Sequence, residues 1–187
     1  MGMSQTWKAM RRIVLLLIAA TAMLATHAQA PEKPAGTRFV WGAEAGAGID
    51  MSNNDMSSID FNASFGMARG WINMLGVGAG ANMMVSNSCR SYPIFAVFRT
   101  DFSQRLRLCF IDVRGGVSLN YLARSQQQTG LYGSFNIGVN LATGSKFRSY
   151  VLVGYTFINR KDIWEDDMTY TPYSPLHMVG VRLGVSF

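Results

Sequence analysis

A period-two alternation of apolar residues recurs along most of this chain and limits what it can fold into. Apolar side chains occupy every second position in eight segments, a pattern typical of β-strands whose two faces meet different surroundings. The approximate cores of these segments are 39–49, 59–67, 75–85, 94–98, 109–119, 131–141, 151–157 and 179–187. The sequence therefore predicts an all-β fold built from eight antiparallel strands.

The apolar phase of the eight segments contains no Asp, Glu, Lys or Arg, although 15% of the chain is charged. A Lys or Arg that faces lipid costs roughly 2–4 kcal/mol near the bilayer midplane, whereas water imposes no such exclusion. A sheet in lipid must also close on itself, because unpaired backbone groups find no water there. We therefore interpret the segments as an up-and-down transmembrane β-barrel with its apolar side chains outward. A soluble periplasmic barrel with the opposite orientation is the alternative.

The opposite phase carries glycines, small polar residues and a few charged residues, which would point into the barrel. Side chains fill the interior of an eight-stranded barrel. Isolated buried charges are costly, so we expect these charges to pair. A narrow gated pore along the same residues is the alternative. The predicted lumen ion network consists of Glu44, Asp60, Arg99, Asp112, Arg114 and Arg182.

The N-terminal block predicts export. Residues 1–12 hold three cations and no acid, residues 13–25 read IVLLLIAATAMLA, and Ala28-Gln29-Ala30 precedes Pro31. This order is typical of a secretory signal peptide. The apolar stretch is also shorter than the roughly 20 residues that a transmembrane helix needs. We expect residues 1–30 to be a cleaved signal peptide and residues 31–187 to form the barrel domain.

Export through the inner membrane also predicts which end of the barrel faces outward. A chain that starts in the periplasm makes its odd-numbered connections outside, and these are usually the longer ones. The longest connection, 159–176, is odd-numbered, whereas 67–74, 102–106 and 143–146 are even-numbered and compact. The first connection is short for an outer loop, so the asymmetry is imperfect.

The net charge of +6 is largely a property of the leader. Three of the 17 Lys and Arg residues lie there, which leaves 14 against 11 Asp and Glu residues and no clustered basic run. Nucleic-acid binding needs a concentrated basic face that displaces counterions from phosphates. The sequence therefore argues against a nucleic-acid partner.

The connection 159–176 is the candidate for binding, because outer loops carry the specificity of a barrel. Its mixture of charged and aromatic residues suits lipopolysaccharide phosphates, divalent ions or another protein. A solvated loop anchored by interfacial aromatics is the alternative interpretation. The outer-loop binding candidates are Trp164, Glu165, Asp166, Asp167, Tyr170 and Tyr173.

The remaining candidate chemistry is sparse. His177 lies three residues after Ser174 at the outer end of the last strand, where a base could activate a hydroxyl in an enzyme that modifies lipid A. No carboxylate is placed to orient this histidine, so we favour a polar residue at the interface and expect no catalytic activity. Cys89 and Cys109 fall toward opposite ends of a hairpin, too far apart for a disulfide. We find no metal-ligand spacing and no cofactor motif, since Gly76–Gly80 lies within a strand with no following helix.

The C-terminal strand ends on an aromatic residue after strict alternation. This ending resembles the signal by which the outer-membrane assembly machinery recognises its substrates, so the barrel assembly machinery is an expected partner. The residues of this assembly signal are Val179, Val181, Leu183, Val185 and Phe187.

The mature chain resembles small outer-membrane β-barrels of the PorT-like type common in Bacteroidetes and, more distantly, the OmpA and OmpX barrels. The residues that carry the resemblance are Tyr92-Pro93-Ile94-Phe95 followed by Arg99, Asp101 and Phe102, then Gly154-Tyr155, and the final strand 179–187. The resemblance implies an integral outer-membrane protein in contact with outer-membrane lipid and lipopolysaccharide. It implies no established activity, so we expect a structural role or loop-mediated binding and adhesion to an unknown extracellular or protein partner.

Overall fold

The chain forms a closed antiparallel β-barrel of eight strands, which confirms the fold class predicted from the alternation. The computed structural model describes residues 36–52, 56–85, 89–102, 108–121, 127–144, 147–160, 163–165, 169–171 and 175–187. The predicted signal peptide, 1–30, lies outside the described residues. The strands are β1 (Arg38–Asp50), β2 (Ser58–Arg69), β3 (Ile72–Met84), β4 (Arg90–Asp101), β5 (Cys109–Tyr121), β6 (Gln127–Thr143), β7 (Arg148–Ile158), β8 (Ile163–Glu165), β9 (Thr169–Thr171) and β10 (Leu176–Ser186).

The barrel consists of β1 to β7 and β10, and it closes where the first and last of these strands pair. Gly42 of β1 lies opposite Ser186 of β10, and the register runs without a shift to the pair of Asp50 and Met178. Every barrel strand therefore has a partner on both sides. A closed sheet has no edge with unpaired backbone groups, which is the condition for a sheet to sit in lipid.

The two ends of the barrel carry different connections. We call the end with connections 51–57, 85–89, 122–126 and 159–175 the outer end, and the end with 70–71, 102–108 and 144–147 the inner end. The tightest turn uses Gly70, whose φ of 55° lies in the left-handed region that favours glycine. The inner connection 102–108 is longer than the outer connection 85–89, so length alone does not separate the two ends.

The outward face of the barrel is apolar between its two rims. The large apolar side chains that are mostly exposed include Phe39, with 66% of its surface exposed, and Leu131, with 62%. Aromatic pairs mark both rims: Trp41 stacks on Phe187 at the inner end, with ring centroids 4.7 Å apart, and Tyr92 meets Tyr121 edge-on at the outer end. Such girdles are typical of transmembrane barrels, whose rims lie at the two membrane interfaces.

The inward face has the opposite character. It buries charged and amide side chains such as Glu44, Asp112 and Asn136, together with the aromatic rings of Phe95 and Tyr150. Apolar side chains therefore face outward and polar side chains face inward, as predicted. A soluble barrel would have the opposite arrangement.

Three details differ from the segments read in the sequence. Strand β4 extends well beyond 94–98, because Pro93 and the inward-facing Phe95 and Val97 mask its alternation. Strand β6 begins at Gln127, where polar residues continue the strand above the apolar belt. The connection 159–175 contains a small two-stranded sheet of β8 and β9, in which Trp164 lies opposite Tyr170. Strands of three residues are too short for a period to show in the sequence.

Among the described residues, no helix is long and apolar enough to cross a bilayer. Cys89 lies at the outer end, next to β4, and Cys109 begins β5 at the inner end. Both thiols are free.

Candidate functional site

The centre of the lumen holds a cluster of four ionic side chains from three strands. Arg99 of β4 donates from Nη2 to Glu44 Oε1 at 2.8 Å and to Asp112 Oδ2 at 2.7 Å. Arg114 of β5 binds the same two carboxylates, with its Nη2 2.7 Å from Glu44 Oε2 and its Nε 2.6 Å from Asp112 Oδ1. Two cations and two anions thus alternate in a closed ring, and all four side chains are buried.

The ring spans the full width of the barrel. In the strand order β1-β10-β7-β6-β5-β4-β3-β2, strand β5 is four steps from β1 in either direction. Glu44 and Arg114 therefore connect opposite walls through direct contact. Because each charge has two partners of opposite sign, their mutual attraction offsets the large cost of removing four ions from water.

A second ionic group lies beside the ring. The Arg182 guanidinium lies 3.5 Å from the Asp60 carboxylate and donates to Asn136 Oδ1 at 3.0 Å and to Thr156 Oγ1 at 2.9 Å. Asn136 in turn donates from Nδ2 to Asp112 Oδ1 at 3.0 Å. The structure thus brings together all six residues of the predicted lumen network, with Asn136 linking its two halves.

Aromatic side chains complete the network, and sequence parity alone did not reveal them. The Tyr150 hydroxyl donates to Glu44 Oε1 at 2.9 Å, and its ring lies under the Arg99 guanidinium, 4.5 Å from the ring centroid. Phe110 also faces Arg99, and Phe95 faces Arg114, each with 5.2 Å between guanidinium carbon and ring centroid. Cation–π contact and ion pairing therefore act on the same arginines.

Glycines on the lumen side make room for these large groups. A Cβ added at Gly184 would meet the Tyr150 ring, and one added at Gly138 would meet the Phe110 ring. A Cβ at Gly46 would overlap the stem of Arg182. These three large inward side chains thus lie across glycines of adjacent strands, which gives the glycines of the polar phase a packing role.

The inner mouth of the barrel contains a small polar pocket. Arg38, Asn73 and Arg148 line it, with Arg99 at its base. Its volume of about 20 Å³ is room for about one water molecule. Asp101 lies against this mouth, 3.9 Å from the Arg148 guanidinium, and accepts a hydrogen bond from Asn73. The pocket is too small for an organic substrate.

His177 occupies an interfacial position on the outward face at the outer end. Its Nδ1 pairs with the Tyr155 hydroxyl, and the Phe157 ring packs against it. Its backbone NH donates to Ser52 Oγ at 2.8 Å, and Ser52 in turn donates to the Pro175 carbonyl. Among the described residues, no Asp or Glu binds the His177 ring. Ser174, the other half of the catalytic alternative, lies outside the described residues.

The outer-loop binding candidates are only partly described. Trp164 and Glu165 lie on β8, and Tyr170 lies on β9. Asp166, Asp167 and Tyr173 lie outside the described residues.

The residues of the predicted assembly signal share one face of the last strand. Phe187 follows β10 and stacks on Trp41 of β1, so this aromatic contact adds to the pairing of the two strands that close the barrel. The other four members, Val179, Val181, Leu183 and Val185, alternate along β10 with the inward-facing Gly180, Arg182 and Gly184. In the part of the chain that is described, no group of three or more His, Cys, Asp or Glu side chains is placed to hold a metal ion.

No protein-family model matches this chain, and no curated protein matches it. Among solved structures, the chain is similar to Neisserial surface protein A, with 15% sequence identity and a TM-score of 0.56. That match covers 81% of this chain and 97% of the other.

Two designed proteins also match. One, from a study of de novo designed transmembrane β-barrels, has 11% identity and a TM-score of 0.43 and covers 84% of this chain and 98% of its own. The designed protein TMB2.3 has 13% identity and a TM-score of 0.37 and covers 79% of this chain and 92% of its own. The similarity to Neisserial surface protein A establishes the barrel fold. Together with the apolar exterior, this fold identifies a membrane-embedded β-barrel.

Proposed function

We propose that this protein is a closed, non-porous barrel of the outer membrane that acts as a structural or adhesive binding protein through its outer connections. The direct contact between Glu44 and Arg114 carries the proposal, because it bridges opposite walls of the lumen. The outward face is suited to lipid, and a bridged lumen is suited to neither transport nor substrate binding. The ends of the barrel are then the surfaces that can meet a soluble partner.

The outer end is the favoured binding surface. It carries the longest connection, 159–175, with the acidic and aromatic candidates from Trp164 to Tyr173. Where this connection returns to the barrel, Ser52 of the first connection donates to the Pro175 carbonyl and accepts from the His177 backbone NH, so the two outer connections meet at this point.

The surroundings of His177 support a role without catalysis. A general base needs an acceptor nitrogen directed at a nucleophile, and usually a third group that orients it. Here the partner of Nδ1 is the neutral Tyr155 hydroxyl in place of an orienting carboxylate, and the ring packs against Phe157 on the outward face. A lipid A profile that is unchanged after deletion of the gene would support this interpretation, and a changed profile would overturn it.

Localisation is the first test. The predicted leader, 1–30, and the terminal assembly signal both support export to the outer membrane. We expect the full chain to sediment with the outer-membrane fraction, and protease added to intact cells to cleave within 159–175. Recovery in the osmotic-shock supernatant, or cleavage only after the outer membrane is opened, would contradict the proposal.

Binding through the long outer connection is the second test. A photo-crosslinking amino acid at Trp164 should yield a discrete adduct in intact cells under conditions where the cells adhere. The same group at Thr143, at the inner end, is the matched control and should not yield this adduct. Replacing residues 161–174 with a Gly-Ser linker should abolish adhesion while the barrel still folds. Undiminished adhesion of the linker variant would exclude this connection as the binding surface.

A further inference from the structure

Two arginines lie at outward-facing positions of the barrel strands in the described part of the chain. Arg69 lies at the inner end of β2, and Arg90 lies at the outer end of β4. Both side chains are exposed, and between them the outward phase is free of charge. Within the described strands, the outward phase therefore carries one arginine near each rim, and the surroundings of the two differ.

Arg90 is surrounded by hydrogen-bonding groups on the same outward face. Tyr121 of β5 is its cross-strand partner, and Tyr92 follows it two positions along β4. The two phenol rings meet edge-on with centroids 5.7 Å apart, and Gln127 of β6 pairs with Tyr121 on the far side. We call this group of Arg90, Tyr92, Tyr121 and Gln127 the Arg90 patch.

The polar ends of the Arg90 patch have no partner within the described protein. None of the described residues accepts a hydrogen bond or forms an ion pair with the Arg90 guanidinium, and the same holds for the hydroxyls of Tyr92 and Tyr121. By contrast, Arg99 and Arg114 in the lumen each bind two carboxylates. The guanidinium of Arg90 and the two neighbouring phenol hydroxyls therefore lie on the outward face without a partner among the described residues.

The outward face next to the Arg90 patch, on the side of the bilayer centre, is apolar. Ile94, Val117 and Leu131 continue the same three strands toward the bilayer centre, and between 43% and 62% of the surface of each side chain is exposed. A ligand that meets both regions has a polar anionic head and an apolar body. A lipid whose head lies at the outer rim has this combination of properties.

We propose that the Arg90 patch binds the phosphate and the sugar of lipid A in the outer leaflet, an inference that rests on the outer-membrane placement proposed above. A guanidinium binds phosphate through several parallel charge-assisted hydrogen bonds. Phenol hydroxyls and an amide suit the hydroxyl groups of a phosphorylated sugar, and phenol rings favour the headgroup level. A glycerophospholipid offers one phosphate and few such hydroxyls, so it fits the patch less completely.

The test compares one ligand with and without its phosphates. The purified full-length barrel in a neutral detergent is titrated with bisphosphorylated lipid A and with the same lipid A after enzymatic removal of its phosphates. Native mass spectrometry counts the bound lipid. We expect the wild-type chain to prefer the phosphorylated form and the Arg90→Gln variant to bind that form about five- to tenfold more weakly.

The Arg69→Gln variant is the matched control, since it removes an exposed outward-phase arginine from the opposite rim. We expect it to bind bisphosphorylated lipid A as the wild type does. Dipalmitoyl phosphatidylglycerol, added as a competitor, distinguishes an anionic glycerophospholipid from lipid A and should displace little of it. Unboiled electrophoretic mobility confirms that each variant is folded.

Three results would overturn the inference: equal binding of the two forms of lipid A, equal weakening by the two arginine substitutions, or full displacement by phosphatidylglycerol. Its failure is separable from failure of the proposed function. If the protein is surface-exposed in the outer membrane and Arg90→Gln binds normally, the inference alone fails. If the protein does not reach the outer membrane, the function itself fails, whatever the titration shows.

Discussion

Tyr150 reaches the centre of the lumen because the facing residue, Gly184, has no side chain. The ring occupies the space that a Cβ of Gly184 would fill, and its hydroxyl donates to Glu44. The absence of a side chain at Gly184 therefore determines where Tyr150 lies. Gly138 and Phe110 repeat the arrangement on neighbouring strands. The glycines of the polar phase are therefore packing positions, and their neighbours are the groups that hold the ionic ring.

Substituting Gly184 with alanine should destabilise the barrel by about 1–3 kcal/mol, because the added methyl group forces the Tyr150 ring off its position. Urea-induced unfolding in phosphatidylcholine vesicles, followed by tryptophan fluorescence, measures the change. Gly115→Ala is the matched control, since nothing lies within 4 Å of a Cβ at that position. Equal effects of the two substitutions would show that the Tyr150 ring does not depend on Gly184.

Substituting Glu44 with glutamine should cost about 3–5 kcal/mol of unfolding free energy. The change keeps the shape of the side chain but leaves two buried arginines with one carboxylate between them. The same vesicle assay applies, with Arg69→Gln as a control that alters an exposed charge and should stay within about 0.5 kcal/mol of wild type. A loss below 1 kcal/mol would indicate that water reaches the ring and replaces the missing anion.

The alternation reveals at residue scale which side chains enter the lumen but not how they pair. Glu44, Arg99, Asp112 and Arg114 could be placed inside from parity, because the two faces of a strand are strictly periodic. Their partners depend on the shear and tilt of the closed barrel, which bring β1 into contact with β5 across the lumen. The role of Asn136 as a link between Asp112 and Arg182 could not be predicted for the same reason, since an uncharged amide in an alternating strand gives no sign of an ionic partner.

At the scale of whole strands, the sequence predicts the centre of each element better than its ends. The belt that faces hydrocarbon must be apolar, so the alternation is strongest there and weakens toward the rims. Strand β6 shows this directly, because its first residues from Gln127 are polar and lie beyond the apolar belt. The sheet of β8 and β9 lies outside the barrel altogether, where no lipid imposes a pattern.

Placing an arginine at Val153 of β7 should destabilise the barrel by about 2–4 kcal/mol. Val153 lies at the middle of its strand, between Ile137 and Val181, and 51% of its surface is exposed to the surroundings of the barrel. Gln127→Arg, at the outer rim, is the control and should cost less than about 1 kcal/mol. Similar costs at the two positions in vesicle-based unfolding would show that Val153 does not face hydrocarbon.

For the whole molecule, a lumen that is filled and bridged by side chains predicts a barrel that does not conduct ions. We expect the wild-type barrel to produce no resolvable channel steps in planar lipid bilayers, although it migrates faster unboiled than boiled in electrophoresis. The control is a variant that carries both Glu44→Ala and Arg114→Ala, which removes the contact between opposite walls and should raise the frequency of openings. Steady conductance by the wild type would contradict a non-porous barrel and favour the narrow-pore alternative.

The seam between β1 and β10 has a consequence for how the protein is made. These strands come from the two ends of the barrel sequence, so the barrel cannot close before the final strand has been synthesised. Contacts between such distant segments form late and slowly. Until then two unpaired sheet edges remain open to any other nascent strand. A chain released without its last dozen residues would keep both edges, and we expect it to aggregate or be degraded in transit instead of inserting as a seven-stranded sheet.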